Sequence, residues 1–128
     1  MNRRFFFALL GATAAPAAQV RGIFAHDLPE MTLDHHEVTV LEVTFEPGVI
    51  SSRHQHPGFI VGYVLEGPLR FQIEGQPEVV HQTGELFWEP KGAVHAVAAS
   101  ASPTKAAKIL AFMIAPKGAP AATPVKQD

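Results

Sequence analysis

Three histidines carry the chemistry this chain can offer. His54 and His56 are separated by one residue in Ser52-Arg-His-Gln-His-Pro57, and His95 follows the turn Pro90-Lys-Gly92. Where backbone is extended, residues two apart point to the same face, so the first two imidazoles would project side by side. A third imidazole from another strand would let the group hold a divalent ion and leave coordination positions open, as a catalytic centre needs. A His-x-His pair alone is a weak signal, and a solvated pair is its plainest reading. The chain has no cysteine, which rules out disulfides, thiolate ligands and a cysteine nucleophile together. Any ion must therefore be held by histidine and oxygen ligands, a set suited to Zn, Fe, Mn, Ni or Cu.

Strands have to position these side chains. From Glu37 the pattern is β: Val38-Thr-Val-Leu-Glu-Val-Thr-Phe45 is rich in β-branched residues, with Leu41, Val43 and Phe45 on one face. Pro47-Gly48 turns the chain into the histidine pair. Phe59 to Glu66 continues the pattern, with Ile60, Gly62 and Val64 on one face and Phe59, Val61, Tyr63 and Leu65 on the other. Gly67-Pro68 and Gly75-Gln-Pro77 bracket Leu69–Glu74, and Glu78–Gln82 returns as its hairpin partner. Gly84 opens Glu85–Glu89, the Pro90-Lys-Gly92 turn leads to Val94–Ala98, and Lys108–Ala115 is a nearly unbroken apolar strand. Many short strands with closely spaced turns predict an all-β sandwich or barrel. No helical stretch competes after residue 20.

The chain has 128 residues, enough for one domain. A formal net charge of −2, from 10 basic and 12 acidic residues without charge runs, gives no reason to expect a nucleic-acid partner. Asn2-Arg-Arg4 followed by Phe5–Ala12 and further alanines to Ala18 reads as an export signal, of twin-arginine or general secretory type. That run is too short, and too rich in Ala, Gly and Pro, for stable membrane insertion. The expected organisation is a signal segment and linker over 1–25, a barrel domain over 37–115 and a flexible tail over 116–128. His26, His35 and His36 fall in the linker or at the strand entry and read as solvated. His81 reads as exposed, and Arg53 and Arg70 as surface residues.

Two motifs then match a known family. Gly48-x5-His54-x-His56 with Gly67 resembles the first cupin motif, and Gly84-x5-Pro90-x-Gly92-x2-His95 resembles the second, in the family's order. The resemblance covers roughly residues 37–115 and implies a double-stranded β-helix, the cupin jelly-roll barrel. It also implies that His54, His56 and His95 are metal ligands for a divalent ion such as Fe, Mn, Zn or Ni. The family's fourth ligand is a glutamate four or five residues after the second histidine, where this chain has Ile60 and Val61. Ala99 also stands in place of a frequent asparagine. Three neutral imidazoles would leave an ion with charge +2 in an apolar barrel, which is costly without an accompanying anion. A substrate could supply the anion, or a residue on another strand: Gln72, Glu74, Glu42 or Glu85.

The function these readings imply is an exported, periplasmic or secreted metal-binding cupin, of oxygenase type (dioxygenase-like) or isomerase type. Its substrate would be small, and oxygen-chelating or anionic. The alternative is a non-catalytic module holding a metal or small ligand. Cupins commonly pair through outer strands, so a homodimer is expected.

Overall fold

Residues 17–126 are described by a computed structural model of the chain. Arg3-Arg4 and the apolar run that begins at Phe5 lie outside the described residues. Those residues form nine strands: β1 (His36–Phe45), β2 (His54–Gln55), β3 (Phe59–Glu66), β4 (Leu69–Ile73), β5 (Val79–His81), β6 (Leu86–Glu89), β7 (Val94–Ser100), β8 (Ala107–Pro116) and β9 (Thr123–Pro124). They make two sheets, ordered β1-β8-β3-β6 and β5-β4-β7-β2-β9, with every pairing antiparallel. No helix among the described residues is long and apolar enough to cross a membrane.

The alternation read from the sequence decides which face of each strand enters the space between the sheets. On β3, Ile60 and Val64 are buried; on β4, Leu69, Phe71 and Ile73; on β8, Ile109, Ala111 and Met113. Leu41 and Val43 of β1 pack against this cluster and Phe45 joins it. Ile60, Val64 and Leu69 are fully enclosed, and each contributes about 1.5–3 kcal/mol by leaving water. The opposite face of β1 and β8 stays wet: Val38, Val40 and Phe112 are exposed. Gly62 makes room for one large side chain. A methyl group there would lie 2.0 Å from Cζ of Phe87, so the ring rests directly on the β3 backbone.

Two segments depart from the expected outline. The linker is laid against the barrel: the His26 ring stacks on Trp88 at 4.2 Å and 16°, and Phe24 stacks on His26 at 6.4 Å. Residues 117–126, expected as part of a flexible tail, take a defined path back along the barrel. Lys117 N donates to His35 O at 2.9 Å, and Thr123–Pro124 forms β9 against β2. Backbone pairing rather than side-chain pattern holds them there, which is why no alternation announced them.

Candidate metal centre

The second sheet carries His54 and His95, and His56 follows directly after β2. His54 on β2 and His95 on β7 are direct partners across the ladder, so their side chains leave the sheet on the same side. His56 follows two residues after His54 and joins them. One ring nitrogen from each of the three lies within 4.8 Å of the others. Ring centroids are 4.8 Å apart for His54–His56, 4.9 Å for His54–His95 and 6.5 Å for His56–His95. The turn at Pro90–Gly92 supports this arrangement. Gly92 N donates to His56 O at 3.2 Å, Gln55 Nε2 donates to Gly92 O at 3.0 Å, and Gly92 has φ of 74°, a conformation side-chain-bearing residues seldom adopt.

Which nitrogens are free follows from their partners. His54 Nδ1 lies 2.7 Å from Ser52 O, and His56 Nδ1 lies 2.7 Å from Ala121 O. A carbonyl oxygen only accepts, so both Nδ1 atoms carry the proton and both Nε2 atoms present a lone pair. Backbone carbonyls orient metal-ligating histidines in this way. Burial lowers the His54 pKa below its ordinary 6.5. The neighbouring His95 and His56 act in the same direction, while the Ser52 carbonyl and Glu89 oppose it. The neutral, ligating form is thereby favoured.

One residue here was not anticipated. Glu89, at the end of β6, is 3 % exposed and points into the same space. Its Oε1 lies 3.2 Å from His95 Nδ1 and 3.8 Å from His56 Nε2. Glu89 Oε1 and His95 Nε2 are both buried without a hydrogen-bond partner. Two orphaned polar atoms beside two oriented Nε2 lone pairs are what an absent cation would leave, since each orphan otherwise costs about 1–3 kcal/mol. The donor set therefore fits a divalent ion. In the sequence, Glu89 shares the inward face of Phe87, and that alternation was its only signal.

The side chains considered earlier as carboxylate substitutes are engaged elsewhere. Glu74 pairs with Arg53, Glu42 lies 3.8 Å from Lys108, and Gln72 Nε2 donates to Gln76 O at 3.0 Å. Glu85 Oε2 accepts from Gln82 N at 2.9 Å. Arg70 pairs with Glu78 at 2.6 Å, in keeping with a surface position. His81, expected to be exposed, is half-buried against Phe71 (5.6 Å) and Phe87 (5.5 Å), with Nδ1 3.4 Å from Glu85.

The described surface also has a cavity of about 680 Å³ between His26–Thr32 and the barrel rim at Pro57, Phe59, Trp88 and Ile114. None of the three histidines lines it. Trp88, the neighbour of Glu89 on β6, is among its lining residues.

A small antiparallel double-stranded β-helix with a histidine cluster between its sheets defines the cupin class. The cupin domain family matches residues 41–113, and the chain belongs to it. Among solved structures, the chain is similar to a cupin-like protein from Thermotoga maritima, with 24% identity, a TM-score of 0.59, and coverage of 69% of this chain and 64% of that one. It is also similar to the polyketide cyclase RemF from Streptomyces resistomycificus (22% identity, TM-score 0.57, 71% and 62% covered). A third is the oxalate decarboxylase of Bacillus subtilis, described with Mn(II) centres (19% identity, TM-score 0.59, 69% and 24% covered). At these identities the likeness shows the fold. The chain spans less than two thirds of the length of the Thermotoga protein. No curated protein matches it.

Proposed function

We propose that this cupin is a metal-binding protein whose centre is His54, His56 and His95, and that it acts on a small oxygen-chelating or anionic molecule by oxygenase-type or isomerase-type chemistry. One observation carries the reading: three imidazoles converge within 4.8 Å, two of them locked by backbone carbonyls with Nε2 free. A bound divalent ion would supply Lewis acidity toward a chelating oxygen. The protein's part is to hold the three nitrogens in place and to keep water out. Phe71, tilted against His95 with ring centroids 4.6 Å apart, and Ile60 supply the apolar surroundings for this. Oxalate decarboxylase with its Mn(II) centres is a precedent for such a barrel holding a metal.

A second reading, a non-catalytic module for a metal or small ligand, is favoured by the cavity of about 680 Å³, which none of the three histidines lines. Export to the periplasm or exterior, and homodimerisation through the wet β1–β8 face, belong to the same proposal. Metal analysis of the purified protein and of its His95→Ala variant tests the reading. Stoichiometric metal in the first and its loss in the second are expected, whereas metal-free protein after growth in metal-replete medium would overturn it. Turnover of a diketone, phenol or hydroxy acid, abolished by His54→Ala, would decide for the enzyme over the binding module.

A further inference from the structure

We infer that Glu89 is the fourth protein ligand of the metal centre, replacing a carboxylate that the chain lacks at Ile60. This rests on the metal-binding reading above and deepens it. Ile60 and Glu89 are direct partners in the antiparallel β3–β6 ladder. Side chains at such paired positions emerge on the same face, with Cβ atoms about 4.5–5.5 Å apart. A carboxylate on β6 therefore reaches the space that a carboxylate at position 60 would fill, while Ile60, 1 % exposed, fills the apolar volume beside it.

Three observations favour coordination over a merely supporting contact. Glu89 is 3 % exposed with Oε1 unpartnered, a costly state for a carboxylate unless a cation is beside it. The same Oε1 lies 3.8 Å from His56 Nε2, whose lone pair is free, and 3.2 Å from His95 Nδ1, so it borders the space between the two rings. Its 3.2 Å approach to His95 Nδ1 lacks hydrogen-bond alignment, so Glu89 is not simply steering that ring. Electrostatics agrees: one carboxylate reduces the charge of the loaded site from +2 to +1 in an interior where charge is costly. His54 and His95 come from the second sheet and Glu89 from the first, so the ion would join the two sheets.

The test is metal affinity, read by competition with a chromophoric chelator, and the visible spectrum of the Co²⁺-loaded protein. Wild type, Glu89→Gln, Glu89→Ala and the exchange variant Ile60→Glu/Glu89→Ile are compared, each with circular dichroism to establish folding. As a ligand, Glu89 replaced by Gln or Ala weakens binding by about 100-fold or more and alters the Co²⁺ bands, and the exchange variant recovers most of the affinity. A partner acting only through His95 would lose about 10–100-fold with Ala. In that case Gln, whose amide oxygen still accepts, would bind nearly as wild type, and the inference fails. It fails equally if all four proteins bind alike. If wild type itself binds no metal, the underlying reading falls as well. If the exchange variant is unfolded, the Gln–Ala contrast alone decides.

Discussion

His54 and His95 face each other across the β2–β7 ladder with ring centroids 4.9 Å apart, so two of the three imidazoles are positioned by strand register itself. Two imidazoles so placed suit a cation as their common partner. The metal-loaded protein should therefore be more stable than the metal-free one. Zinc or manganese at 100 times its dissociation constant is expected to add about 2.7 kcal/mol. Thermal unfolding with and without a chelator checks this, and an unchanged Tm would contradict it.

Acid should destabilise the metal-free protein through His54. Its pKa is below 6.5 in the folded state, chiefly because burial disfavours the charged ring. Below pH 6.5 the unfolded chain takes up a proton that the folded chain resists, so unfolding draws protons and stability falls as pH falls. The loss runs from 6.5 down to the lowered folded value and then stops for this group. Urea unfolding at pH 7.5 and 5.5 should show the drop, and a His54→Gln variant should show a smaller one.

The segment after Gly118 should matter more for metal than for folding. It contributes the Ala121 carbonyl that holds His56 Nδ1 and the short strand β9, but no residue of the buried apolar cluster. Removing residues 119–128 is expected to leave the far-UV spectrum unchanged and to weaken metal binding by about 10–100-fold, the range for a lost outer partner. Equal affinity in the truncated chain would count against Ala121 as an orienting group.

Gly62 should tolerate no side chain. With Phe87 Cζ 2.0 Å from where a methyl would sit, Gly62→Ala must displace a buried ring, at a cost of about 1–3 kcal/mol. Adding Phe87→Leu should recover part of the loss, giving a less than additive double-mutant cycle. Full additivity would mean that the ring and the backbone are not in contact.

Much of this architecture was legible from residue order. Leu41, Val43 and Phe45 alternate with wet neighbours because only one face of β1 meets the core. The histidines were equally readable, since type and spacing carry their signal. Glu89 was not. A carboxylate sought along the chain near Ile60 is missing, and its counterpart is visible only once β3 and β6 are set in register, a relationship between distant segments. His81 was misread as solvated because its shelter comes from Phe71 and Phe87 on other strands. The path after Pro116 was hidden because main-chain pairing leaves no mark on side-chain order.

The hydrogen bond from His56 to Ala121 also has a meaning in time. A chain emerges from the ribosome in numerical order, so all three imidazoles and Glu89 are made before the carbonyl that fixes one of them. A nascent chain can bring the four groups together, but His56 has no fixed tautomer until residue 121 arrives. Full affinity for an ion would then be acquired late in biosynthesis, after the barrel's core strands are already available to fold.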